Sequence, residues 1–242
     1  MNRKSSAMVV GDCKRGVSGE TGYPAIFYQT AIMVDAGWMT KVLQKKLGLK
    51  RYLTADEMYQ AITSVLQADE FLYRLYYYDS APFDGTKTNP ISKQETDFSK
   101  SPVCAGRSNF FSQFVQLPCV ALRLGTLNFR GWTLAPAFER RLIEEHKTPV
   151  EISENDIRAN FEQKGVDMRI GIDIASLAYK RFVQRIILFS GDTDMIPAMK
   201  LARTEGVQLV VIRIGSSLPE NILRHADLCR ELKWELSGAS TK

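Results

Sequence analysis

Carboxylates recur in this chain where short apolar runs stop. Asp35 follows residues 31–34, Asp79 follows residues 71–78, and Asp192 and Asp194 follow residues 185–189 in the segment Ser190-Gly191-Asp192-Thr193-Asp194. A single Asp at such a place is ordinary, because Asp favours turns and helix N-termini, and Asp194 alone could serve as a cap. Several brought to one place are different. Like charges a few ångströms apart raise one another's pKa and destabilise a fold unless a cation sits among them. A hard divalent ion, Mg²⁺ or Mn²⁺, resolves that conflict: it takes oxygen ligands, keeps several waters, and can activate one of them or bridge to a phosphate. The chemistry this residue set points to is metal-assisted attack on a phosphate ester.

A further carboxylate lies in Lys164-Gly165-Val166-Asp167, at the entry to a segment with helical periodicity. At 100° per residue, Val166, Ile170, Ile174 and Leu177 form an apolar stripe with Asp167 on one border and Asp173 on the other. Six residues of helix rise about 9 Å, so one metal site should not use both. Asp167, in the first turn, is the better ligand candidate, although a first-turn acid is also what the helix dipole favours. Asp173 could pair instead with Lys180 or Arg181. Asp79, Asp173 and Ser190 then stand as outer groups around Asp35, Asp167, Asp192 and Asp194. Cations for phosphate are Lys164, Lys41 and Arg213, and the run from Lys41 to Arg51 reads equally well as a solvated helix face opposite Val42, Leu43 and Leu47. The aromatics of 71–78 and 110–114 are explained by a buried core before base stacking.

These residues need elements to hold them. The run 31–34 reads as a strand buried on both faces, followed by a helix over 38–47 that stops at Gly48. Thr54 and Glu57 have capping-box spacing for a helix through about residue 66, and 71–78 reads as a second strand. Residues 81–101 are polar and contain Pro82, Gly85 and Pro90, a loop long enough to imply that it lies over something. Then follow a helix over 107–116, a strand over 119–124, a stretch over 126–133 that extends the sheet or begins a further excursion, and helices over 153–161 and 165–181. A strand over 185–189, a helix over 194–204 stopped by Gly206, and a strand over 207–214 come next. Ser217, Pro219 and Glu220 open a last helix leading through 223–232. Strands alternating with amphipathic helices predict a three-layer α/β/α fold on a mostly parallel sheet of about five strands. Ligands of such sheets bind beyond the carboxyl ends of the strands, which is where the carboxylates fall.

Composition narrows the class further. The chain has 242 residues, 45% hydrophobic and 24% charged, enough apolar content for a sizeable core and too little bias for a disordered or fibrous protein. A net charge of +5 mildly favours an anionic partner. The four cysteines, Cys13, Cys104, Cys119 and Cys229, form no C-x-x-C pair, and His146 and His225 have no cysteine at zinc-ligand spacing. No nucleophile motif accompanies either histidine, so a Ser/His or Cys/His hydrolase has little support. Few cysteines, no signal-peptide core and no apolar run of membrane length predict a cytoplasmic protein without a membrane partner. Residues 1–29 read as an irregular leader and 30–242 as one domain with a loop-rich excursion at about 81–106. A homo-oligomer is compatible with this reading.

Taken together, A-I-M-V-D-A-G, Y-Y-Y-D-S, K-G-V-D-M-R-I-G-I-D and L-F-S-G-D-T-D-M-I-P-A resemble the NYN domain family of PIN-like nucleases, in particular its bacterial LabA-like branch. The resemblance runs from about Thr30 to Leu232, and its most specific part is K-G-V-D followed some twenty residues later by S-G-D-x-D. It implies a PIN-like three-layer fold, RNA as partner, and Mg²⁺- or Mn²⁺-dependent RNA cleavage. It also implies that Asp35, Asp167, Asp192 and Asp194 occupy the acidic metal-binding positions. Two positions depart from the family pattern: Ala36-Gly37-Trp38 stands where an Asn often follows the first Asp, and Met195 stands where an aromatic often follows the last motif. Both bear on substrate positioning rather than on the carboxylates. The alternative is a nucleic-acid-binding regulatory module on the same fold. An aspartyl phosphatase is weaker, because Gly37 occupies the place where such enzymes commonly put a second Asp.

Overall fold

The computed structural model describes residues 27–145, 152–215 and 218–236. The leader assigned to residues 1–29 therefore lies almost wholly outside the described residues, as do His146 and Ser217. Strand β1 (Tyr28–Asp35) buries Ala31, Ile32, Met33 and Val34 completely, as an apolar run in a two-sided sheet must. Helix α1 (Ala36–Leu47) follows without a loop and is stopped by Gly48, whose φ of 63° is the left-handed conformation of a helix C-terminus. Helix α2 (Ala55–Thr63) opens on the Thr54–Glu57 capping box, with both reciprocal hydrogen bonds formed.

Strand β2 (Glu70–Ser80) leads into the long polar stretch, which is not a bare loop. It contains a small antiparallel hairpin, β3 (Thr86–Thr88) and β4 (Glu95–Asp97), before helix α3 (Pro102–Phe114). Strand β5 (Val120–Leu134) is one continuous fifteen-residue element, so residues 126–133 extend the sheet. Then come α4 (Pro136–Glu145), β6 (Ile157–Lys164), α5 (Val166–Tyr179), β7 (Arg185–Phe189), α6 (Ile196–Thr204), β8 (Gln208–Arg213), α7 (Glu220–Arg224) and β9 (Leu228–Glu231).

The central sheet has seven strands rather than five, in the order β6-β5-β2-β1-β7-β8-β9, parallel except where β6 pairs with β5. Alternate residues of each parallel strand feed opposite cores. Ile32, Val34, Leu75, Tyr77, Ile187 and Phe189 pack against α1, α2 and α3. Ala31, Met33, Tyr76, Tyr78, Ile186 and Leu188 pack against α5, α6 and Ile222 of α7. This is the expected three-layer arrangement.

Two helix assignments are corrected. Residues 153–161 form a 3-10 turn at Glu154–Asp156 and then β6. Ile157, Ala159 and Phe161 are half-buried while Arg158, Asn160 and Glu162 are exposed, so the period is two and not 3.6. Residues 223–232 are helical only to Arg224, after which β9 adds an edge strand parallel to β8. Asp227 fixes that change of direction, because its Oδ2 accepts the Leu209 N–H at 2.8 Å and its Oδ1 accepts from Arg203 Nε at 2.8 Å.

Past Gly125, β5 leaves β2 and forms an arm with β6 that runs beyond the carboxyl edge of the parallel strands. The polar excursion lies over this arm. Phe83 and Phe98 meet Phe129 and Phe161 at ring separations of 5.3–6.2 Å, and the Trp132 indole N–H donates to the Thr88 carbonyl at 3.0 Å. The arm returns the chain to the sheet edge at Lys164, which pairs with Thr126. Gly165, at φ 78°, then turns it into α5. This turn presses on Gly125, where an added Cβ would lie 2.5 Å from the Lys164 carbonyl oxygen and 2.9 Å from Val166 Cγ2. Only glycine fits there, and its absence of side chain lets Asp167 start its helix directly over the sheet.

Candidate active site at the carboxyl edge of the sheet

β1 and β7 are neighbours, and from them the chain proceeds to β2 on one side and β8 on the other. Their carboxyl ends therefore flank the point where strand order reverses, the place at which open α/β sheets bind ligands. Asp35 ends β1. Its Oδ1 accepts the Trp38 N–H at 3.1 Å, capping α1, and its Oδ2 receives the Ser190 hydroxyl at 3.4 Å from the end of β7. The same hydroxyl oxygen accepts the Asp192 N–H at 3.1 Å. Asp192 Oδ1 in turn accepts the Asp194 N–H at 2.9 Å and opens the 3-10 turn that carries Asp194. Ser190 is fully buried and thus ties two of the carboxylate-bearing segments together.

Asp167 approaches from the first turn of α5. Its charge and those of its neighbours reach one another. Burial pushes the Asp35 carboxyl above its ordinary range, the Trp38 N–H and the Ser190 hydroxyl pull it back, and the charges of Asp167 and Asp192 push it further up. Asp167 is raised as well, by desolvation first and then by Asp192 and Asp194. Asp35 and Asp167 thus each feel the charge of Asp192, and Asp167 that of Asp194 as well. Among the described residues, no three His, Cys, Asp or Glu side chains converge into a ready-made metal cage.

The outer groups divide. Ser190 belongs to the site. Asp79 is paired with Arg107 of α3, so that burial, which raises its pKa, is partly offset by that guanidinium and by the Ser80 N–H. Asp173 takes the Tyr78 hydroxyl at 2.8 Å and Arg123 Nε at 3.0 Å, rather than Lys180 or Arg181. Lys164 is exposed at the same edge, 3.8 Å from Glu162. Lys41 lies exposed on α1, and Arg213 is engaged by Glu231 at 3.2 Å.

Three further neighbours frame the site; Trp38 was named from the sequence only as a departure from the family pattern, and Gln163 and Arg169 escaped the sequence reading. The Trp38 indole lies directly against Gly191, where any Cβ would collide with its Nε1. Gln163 of β6 reaches the space above Gly37: a Cβ there would be 3.4 Å from Asp35 Oδ1 and 3.7 Å from Gln163 Oε1. Arg169 folds back beside Gly165, its Nε 3.9 Å from the corresponding Cβ position. Gln163 was hidden because β6 was read as partly helical; Arg169 sits in the quoted K-G-V-D-M-R run and could have been found there.

Residues 123–231 match the family model of the NYN domain, the family that the motifs of this chain resemble. The match spans β5 to β9 and includes Asp167, Asp192 and Asp194, while Asp35 lies outside it. The NYN domain family is generally of a nuclease-like fold. An uncharacterized protein of Sinorhizobium fredii (strain NBRC 101917 / NGR234) is 32% identical over 83 residues, 33% of this chain and 37% of that protein, so the match spans little more than a third of that relative. A crystal structure of a protein of unknown function from Vibrio parahaemolyticus RIMD 2210633 aligns with TM-score 0.49 at 13% identity, covering 87% of this chain and 96% of the other. Among the described residues, no helix is long and apolar enough to cross a membrane.

Proposed function

We propose that the chain is a metal-dependent ribonuclease whose site is formed by Asp35, Asp167, Asp192 and Asp194. The observation that carries this reading is that, where strand order reverses, Asp35 is pushed up by the charges of Asp167 and Asp192, and Asp167 by those of Asp192 and Asp194, beyond the effect of burial. The donor set fits Mg²⁺ or Mn²⁺, which prefer oxygen ligands and are commonly held by only one or two carboxylates with the remaining positions filled by water. When bound, the ion would supply an activated water and neutralise charge developing on the phosphate.

The chain's own residues hold that arrangement. The Ser190 hydroxyl and the Trp38 N–H fix the two oxygens of Asp35, and the Asp194 N–H fixes one oxygen of Asp192. Lys164, with Arg169 beside it, would meet the substrate phosphates, and Gln163 would hold a polar group above Asp35. Lys41 and Arg213 are the more distant phosphate candidates. A second reading, a binding module without turnover, is favoured by one feature: the Trp38 indole fills the space against Gly191 beside the Asp192 loop.

The test is incubation of the purified protein with end-labelled single-stranded RNA or DNA in Mn²⁺, Mg²⁺ or EDTA. Metal-dependent loss of full-length RNA supports the nuclease reading. No cleavage with either metal, alongside retained RNA binding, would favour the module.

A further inference from the structure

A cavity of about 340 Å³ opens between the start of α2 and the first three turns of α3. It is separate from the four carboxylates, and its size is at the lower end of the range for small-molecule sites, about 300–1,000 Å³. Its walls are mostly apolar. Tyr52, 58% exposed, stands at the rim, and Phe110 lies within. The amides of Asn109 and Gln113 face it from α3, and Arg107 is the one charged residue in its lining. No carboxylate lines it, in contrast to the acidic edge nearby.

Gly106 gives an independent indication. Glycine is the least favourable ordinary residue for a helix interior, and it is usually retained there for close packing. Nothing lies within 4 Å of where a Cβ on Gly106 would be, so packing does not require it. Its effect is to leave the cavity wall open.

The cavity is also joined to the candidate active site. Arg107 stacks on Phe110 and Phe111 at 5.1 and 4.7 Å and pairs with Asp79. Asp79 follows Tyr78, the cross-strand partner of Asp35. Arg107 thus lines the cavity and pairs with the strand that lies beside that of Asp35.

We propose that this cavity is a nucleobase pocket of the nuclease, in which one base of single-stranded RNA stacks against Tyr52 and presents its edge to Asn109 and Gln113. The assignment rests on the nuclease reading for its substrate. A half-open, largely apolar cleft with an exposed aromatic rim and two amides suits a planar base carried on a polymer. It lacks the convergent charges that a free anionic metabolite would need.

The test is binding of a short single-stranded RNA in EDTA, by fluorescence anisotropy, against the same oligomer carrying one abasic residue at successive positions. The wild-type protein should lose about tenfold in affinity at one position, as expected when one stacked base is removed. Tyr52→Ala and Gly106→Leu should bind intact and abasic oligomers equally weakly, and Gly106→Leu should melt no lower than wild type because leucine is the better helix former. Should Gly106→Leu not fold, Tyr52→Ala alters only an exposed side chain and decides alone. The proposal is overturned if no abasic position matters in wild type, or if the sensitivity persists in the variants. Mn²⁺-dependent cleavage by wild type would then leave the nuclease reading standing. Base-dependent binding that both variants abolish, without cleavage in any metal, would support the pocket and remove the nuclease.

Discussion

The Ser190 hydroxyl reaches Asp35 Oδ2 at 3.4 Å across the boundary between β1 and β7, and it accepts the Asp192 N–H at 3.1 Å. One buried side chain thus orients both carboxylate segments where strand order reverses. Its hydrogen bond opposes the upward pressure of burial on the Asp35 pKa. Ser190→Ala should raise that pKa further, moving the acid limb of the cleavage pH profile to higher pH. An acid limb that does not move would show that the hydroxyl has no hold on Asp35.

Asp35 also makes a stability prediction. Its carboxyl is held above the ordinary value of 3.8, so it does not penalise the fold below that value and destabilises it progressively as pH rises through the folded pKa. Asp35→Asn, which can keep the cap on α1, should therefore melt higher than wild type at pH 7 in EDTA and lose that advantage near pH 3. Asp167→Asn should behave in the same direction, since Asp167 is also raised. Added Mn²⁺ should raise the melting temperature of wild type more than that of either variant, by ligand linkage. Melting curves at two pH values with and without Mn²⁺ decide it.

At the opposite edge of the sheet, Glu70 has a fully buried side chain held by Arg185 at 2.6 Å and by Arg230 at 2.8 Å. Burial alone would push its carboxyl up, but Arg230, the Gln67 N–H and Arg185 together hold it below the usual range. The guanidinium of Arg185 also lies 3.8 Å from the centre of the Tyr28 ring. Removing one member of a buried ion network typically costs about 3–5 kcal/mol, because the remaining charges lose their partner. Glu70→Ala should lower unfolding free energy in urea by that order, and the contribution of Glu70 should fade as acid protonates it. Unchanged urea midpoints would contradict the network.

Much of this architecture was legible because it rests on short-range signals. The buried run 31–34, the Thr54–Glu57 capping box, the stop at Gly48 and the strand 185–189 are set by local periodicity and turn chemistry. The edge strands were not. The alternation of Ile157, Ala159 and Phe161 has meaning only against β5, and β9 is a four-residue strand whose direction is fixed by Asp227 bonding to β8 and α6. The four candidate ligands were readable as strand-end and helix-start carboxylates, whereas the roles of Asp79 and Asp173 depended on Arg107 and Arg123, distant in sequence. The contact between Trp38 and Gly191 is likewise invisible without the sheet that brings β1 beside β7.

The hairpin offers a separate check on how the polar excursion is held. Phe161 touches Phe83, Phe98 and Phe129, so Phe161→Ala should release β3 and β4 from the arm. Limited proteolysis should then cut within residues 81–101 much faster than in wild type, with only a small change in global melting because these rings are half-buried. Equal cutting rates would place the hairpin's anchorage elsewhere.

The most direct test is the rate of RNA cleavage by Asp194→Asn relative to wild type in saturating Mn²⁺, with EDTA controls and RNA binding measured in parallel. The substitution keeps size and shape while removing a charge that a bound ion needs. Each 1.36 kcal/mol of lost transition-state stabilisation is about tenfold in rate, and loss of ion-activated water should remove several such steps. The account predicts metal-dependent cleavage by wild type, a loss of at least about a thousandfold in the variant, and RNA binding that survives or tightens as the site becomes less negative. Cleavage equal in the two proteins, or cleavage that persists in EDTA, would contradict it.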